Sequence, residues 1–119
     1  MSGSSLSFDS LLNLCQHQHR RIVLAALTEE QRSLTLDELT QAVLKHNHQT
    51  AITEVSEDVI AEIRNSLYHV HLPKLASGGL ISNYPDRQFV EPGEQFDQVQ
   101  QTVSAILDAD PTLEGPIEL

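Results

Sequence analysis

The chain has 119 residues, 39% of them apolar, which is enough for one compact core with short tails and argues against both a second domain and wholesale disorder. Seven Lys and Arg against 17 Asp and Glu give a formal charge of −10, so a histone-like or polybasic membrane-binding function is excluded. The acid is unevenly placed: residues 1–59 hold four basic and eight acidic groups, residues 60–90 three and two, and residues 91–119 none and seven.

No apolar run approaches the roughly 20 residues that span a bilayer, and the opening MSGSSLSF lacks the basic start and apolar stretch of a signal peptide; a cytoplasmic location is expected, with no membrane partner. A single cysteine, Cys15, cannot form an intrachain disulfide or a thiolate zinc site alone and reads as a small buried apolar residue.

In chain order, residues 1–7 form a Ser/Gly-rich flexible lead. From Phe8 to Leu27 apolar residues recur every three or four positions, interrupted by the polar patch QHQHR, which predicts either one long helix or two helices broken near Gln16. Thr35-Leu36-Asp37-Glu38 has the form of a capping box, so a helix starts at Leu36; it ends near His46, and residues 47–55 connect onward. Ser56 followed by Glu57 and Asp58 caps a third helix expected to run to Ser77, closed by Gly78-Gly79 and kinked at Pro73. Its buried stripe reads as Ile60, Ile63, Leu67 and Val70, with Leu72 and Leu75 on another face. Two short strands, Leu80–Tyr84 and Gln88–Val90, flank the turn Pro85-Asp86-Arg87. Pro92 then reads as the first turn of a last helix, 92–108, whose narrow stripe of Phe96, Val99, Val103 and Ile106 suits packing against a second copy. Residues 109–119 read as an extended or mobile acidic tail.

Three helices, a hairpin and a final helix fit a mainly α winged helix-turn-helix, with residues 8–91 as the domain. Particular segments sharpen this. LLNLCQHQHRRIVLAAL resembles the first helix of metalloregulator-type winged helices, LTLDELTQAVLKHN the second, and SLYHVHLPKLASGGLI the recognition helix entering the wing. HVHLPKL followed by GGLI resembles an uncharacterised winged-helix domain family of halophilic archaea, a resemblance that spans roughly residues 8–91. It implies a salt-rich cytoplasm, in which an acidic surface is an adaptation to solvent. It also implies that one of Arg20 and Arg21 lies against the core and bonds backbone carbonyls.

In such folds the outward face of the third helix enters the major groove of double-stranded DNA. That face carries Asp58, Glu62, Asn65, Ser66 and His69, with Lys74 farther along and Arg87 at the wing tip. Asn65 suits adenine, and Ser66 and His69 suit base or phosphate. The two acids on the face repel phosphate, so a plain solvated face is the competing reading. Three His-x-His pairs occur at His17/His19, His46/His48 and His69/His71. Residues two apart on a helix point about 200° apart, so no pair can chelate one ion unless its helix breaks there; no metal or cofactor is expected. Without a phosphate loop, a nucleophile elbow or a convergent carboxylate pair, the chain does not read as an enzyme. The expected function is a homodimeric DNA-binding regulator. The alternative is an interaction module of the same fold without DNA contact.

Overall fold

The computed structural model describes residues 6–48, 56–113 and 117. Most of the expected lead, the connection over 49–55 and the remainder of the tail lie outside the described residues.

The helix expected from Phe8 onward is two helices, α1 (Phe8–Leu14) and α2 (Gln18–Glu30). Ser7 caps α1 by accepting from the Ser10 amide, and Cys15 closes it. The break allows α2 to take a new direction, with His17 as its N-cap. Six consecutive residues of α2, from Ile22 to Leu27, are buried, which identifies it as the central helix of the core rather than an amphipathic surface element.

The short strand β1 (Leu34–Thr35) precedes α3 (Leu36–His48). The capping box forms as expected: the Glu38 amide donates to Thr35 Oγ1 at 3.1 Å and the Thr35 amide to Glu38 Oε1 at 2.9 Å. Leu39, Ala42, Val43 and Leu44 pack inward, and the helix continues two residues beyond its expected end at His46. Ser56 caps α4 (Glu57–Ser66) through the Val59 amide. The chain then passes through a π-helical turn, Leu67–His71, into α5 (Leu72–Ser77).

This turn corrects the expected kink at Pro73. The Leu72 amide bonds the Leu67 carbonyl five residues back, so the irregularity lies before the proline, where the wider turn accommodates its missing amide. It also corrects the buried stripe. One extra residue in the turn advances the phase, so Val70 is 52% exposed while His71 is buried at 3%.

The hairpin comprises β2 (Ile81–Tyr84) and β3 (Phe89–Pro92), and β1 joins it to make a three-stranded antiparallel sheet in the order β1-β3-β2. Val90 faces both Leu34 and Asn83 in register. Two residues of β1 were too few to give a periodic signal in the sequence. Pro92, expected in the last helix, instead ends β3 opposite Ile81; β1 pairs only with Phe89 and Val90, so at Pro92 one side of β3 is unpaired and tolerates a missing amide. Gly93 follows because a Cβ there would lie 2.4 Å from the Gly79 carbonyl oxygen.

The final helix, α6, spans Phe96–Ala109 and packs on α2. The end of the chain is not simply extended. Pro111–Leu113 form a 3-10 turn, Ile117 is buried, and its amide donates to the Glu29 carboxylate. The architecture is mainly helical, with a small antiparallel sheet and a C-terminal helix, an arrangement compatible with a winged helix. No helix among the described residues is long and apolar enough to cross a membrane.

Candidate functional site

The outward side of α4 is held in place by a clamp on one arginine. Arg64 donates through Nη1 to the Asp37 carboxylate and through Nη2 to Gln88 Oε1 at 2.8 Å. It thereby joins α4 to the first turn of α3 and to the turn of the hairpin, where Gln88 sits at φ +57°. Asn65 and Arg87 are the sequence neighbours of the two clamped residues. Asn65, His69, Lys74 and Arg87 are exposed and Ser66 is half-buried, so the structure puts these five expected residues at or near the surface. Glu57, Asp58 and Glu62 are exposed on the same helix.

Most of the positive charge is internally engaged. Arg32 pairs with Glu38 and Glu30, Arg21 with Asp110, and Arg64 with Asp37, while Arg20 is buried. Lys74 and Arg87 are left with side chains open to solvent.

The four residues expected at a dimer interface divide. Phe96 and Val103 belong to the chain's own core, and Val99 and Ile106 are half-buried against it. Beside them, Leu12 and Ile106 line one surface cleft together with Ala109, and Phe8, one helical turn from Leu12, is 60% exposed.

A second cluster lies on the inner side of the same helix. The break between α1 and α2 puts His17 at the N-cap, where its Nδ1 accepts from the His19 amide at 3.0 Å. The π-helical turn brings His71 against both. Ring centroids lie 4.2 Å apart for His17 and His71, 4.8 Å for His17 and His19, and 5.6 Å for His19 and His71. The condition for His17 and His19 to approach, a broken helix, is met. The signal was present in the polar patch QHQHR at the expected break. The inward position of His71 follows from its spacing of four from buried Leu67, whereas its meeting with His17 and His19 was illegible, because it depends on the docking of two separate segments of the chain.

Arg20 supports this cluster from the core side. Its Nε donates to the Leu14 carbonyl at 2.7 Å, Nη2 to the Asn13 carbonyl at 3.2 Å and Nη1 to His71 Nδ1 at 3.2 Å. These bonds engage carbonyls at the end of α1, where the helix runs out of amide donors, although the Asn13 carbonyl also accepts from the Gln16 amide at 3.2 Å. Arg21 does the same for Cys15 and Gln16 while its Nε meets Asp110 at 2.7 Å. Both arginines thus bond backbone carbonyls.

Burial, then the neighbouring His17, His19 and Arg20, lowers the His71 pKa to about 4. Burial and the two arginines also lower that of His17. Burial pushes the Cys15 thiol up despite the arginines nearby, which leaves it protonated and unreactive. For Asp110 burial pushes upward, but hydrogen bonds from Thr112 and Arg21 outweigh it and hold the carboxyl below its ordinary value. The site therefore has two sides, a polar outward face and a cluster of three imidazoles backed by a buried arginine.

Neither a curated protein nor a solved structure matches the chain. The model of one family, described as a domain of unknown function (DUF7344), matches residues 12–91, a span that begins in α1 and ends in β3. Both the histidine cluster and the outward face of α4 fall within that span, and the chain belongs to the DUF7344 family.

Proposed function

We propose that the protein is a winged-helix DNA-binding transcriptional regulator acting as a homodimer in a salt-rich cytoplasm, as its resemblance to haloarchaeal and metalloregulator-type winged helices implies. The observation that carries this reading is the Arg64 clamp. By holding the hairpin turn against α4, it presents Asn65 and Arg87 from adjoining elements, as an insertion of helix and wing into neighbouring grooves requires. Asn65 and His69 then read base edges, and Ser66, Lys74 and Arg87 contact phosphate. The acidic surface is solvent adaptation.

The dimer forms through the α1–α6 cleft. Leu12, Ile106 and Phe8 supply apolar area there that the chain's own core does not cover. Leu12→Glu should convert a dimer to a monomer in light scattering, with its circular dichroism unchanged.

The deciding experiment is fluorescence anisotropy on promoter-length DNA across a salt series. With Lys74 and Arg87 as the open cations, a dimer neutralises about four phosphates, and the slope of log K against log salt should be no steeper than about −4. Arg87→Ala should weaken all sequences alike. If neither the wild type nor the variant binds DNA at moderate or molar salt, this reading fails.

A second reading, an interaction module of the same fold without DNA contact, is favoured by Glu57, Asp58 and Glu62, which face outward beside Asn65 and repel phosphate. Loss of DNA binding together with an intact dimer would select it.

A further inference from the structure

The inner side of the α4–α5 helix carries a site that is independent of any contact on its outward face. We propose that His17, His19 and His71 together bind one late first-row transition-metal ion, such as Zn²⁺ or Ni²⁺, through one ring nitrogen each.

One nitrogen from each of the three rings lies within 4.8 Å of the others. Ligands around a tetrahedral zinc ion are about 3.3 Å apart, as follows from a metal–nitrogen distance of about 2.0–2.1 Å. The widest pair must therefore close by about 1.5 Å, within reach of ring rotations at exposed His17 and half-buried His19. The donors come from three structurally distinct places: an N-cap, the first turn of α2 and the end of a π-helical turn. Such turns inside helices recur at functional sites, and His71 is the last residue of this one.

The donor set selects the metal. Three imidazoles with no carboxylate among them suit zinc, nickel or copper and do not suit magnesium or calcium, which require oxygen ligands. The graded exposure supplies an entry path, since His17 is exposed, His19 half-buried and His71 buried. Three imidazoles leave a fourth position for water or an anion.

Binding exchanges existing contacts for metal bonds. The Arg20 guanidinium can only donate, so its contact with His71 Nδ1 places the ring proton on Nε2. A neutral His71 ligates either through Nδ1, with Arg20 withdrawn, or through Nε2, with the proton moved to Nδ1. Both routes break the Arg20 contact. The same argument applies to His17, whose Nδ1 accepts from the His19 amide. The metal thus replaces the N-cap of α2 and ties that end to the α4–α5 helix.

The test uses the full chain, stripped with EDTA and titrated with Zn²⁺ by calorimetry and with Cu²⁺ by electron paramagnetic resonance. We expect one ion per chain and hyperfine coupling to three imidazole nitrogens. Replacing buried His71 also disturbs packing, so exposed His17 is the decisive position. His17→Ala should weaken Zn²⁺ binding at least about 10–100-fold, the loss usual even for outer groups of a metal site. His69→Ala, on the opposite side of the helix, should leave the affinity unchanged. The proposal is overturned if His17→Ala binds as tightly as the wild type, if His69→Ala loses as much, or if the stripped chain takes up no ion at micromolar concentrations. Because the readout involves no DNA, a failed DNA-binding assay leaves this result standing.

Discussion

The two sides of the α4–α5 helix differ in kind. On the outward side Asn65, His69 and Val70 are exposed, and the clamp of Arg64 restrains the backbone more than those side chains. On the inward side Ile63, Leu67, His71, Leu72 and Leu75 are buried, and every polar atom of Arg20 is placed by a hydrogen bond. One helix therefore has a face free to vary with a partner and a face coupled to the whole core, and the π-helical turn is where the two exchange register.

The sharpest way to probe the contrast is to truncate a residue on the packed side. Leu67 is fully buried at the start of the π-helical turn, and Leu67→Ala should cost about 2–5 kcal/mol in urea denaturation. A cost under about 1 kcal/mol would mean that this turn is not packed as described.

Acid is the next largest perturbation of the inward side, tested on the metal-free protein. The unfolded imidazole of His71 takes up its proton near pH 6.5 and the folded one only near 4. Between these values the unfolded chain binds more protons, so stability falls as the pH drops and is unaffected by this group above 6.5. The shift corresponds to about 3 kcal/mol. The groups that face His71 are His17 and His19 from the α1–α2 junction and Arg20 from α2. Thermal unfolding followed over that window should show the decline, and His71→Asn should flatten it.

A smaller effect is expected at the first turn of α3. Thr35→Ala removes the acceptor for the Glu38 amide and should cost about 1 kcal/mol in urea denaturation. The smallest belongs to the outward side. Asn65→Ala should change folding stability by no more than about 0.5 kcal/mol, while relaxing sequence preference in the anisotropy assay by about 1–3 kcal/mol. A large loss of stability there would show that Asn65 is structural and would abolish the contrast.

Much of the architecture was legible because local rules carried it. The Thr35 capping box, the Ser56 cap, the paired glycines after Ser77 and the turn at Pro85 each rely on neighbours within a few residues, and each appears where the sequence placed it. The outward positions of Asn65 and His69 followed from helical spacing, as did the burial of Leu67, Leu72 and Leu75. The last helix was legible in its existence but not in its start, because Pro92 fits a helix N-terminus and the end of a strand equally well. Its apolar stripe, suited to a second copy, instead covers α2 with Phe96 and Val103. Burial on a narrow stripe does not reveal whose surface the stripe meets.

What the sequence determined by itself was the set of elements, their caps and the polarity of their faces, since these depend on hydrogen bonds and periodicity within single segments. Only the tertiary structure decided the third strand of the sheet, the docking of Ile117 and the meeting of three histidines. Each of these depends on residues brought together from distant parts of the chain. His71 shows the reason most plainly. Its spacing of four from Leu67 puts it on the buried face, but only the packing of the whole core, with a π-helical turn that carries Val70 outward, sets it against Arg20 and the two histidines at the head of α2.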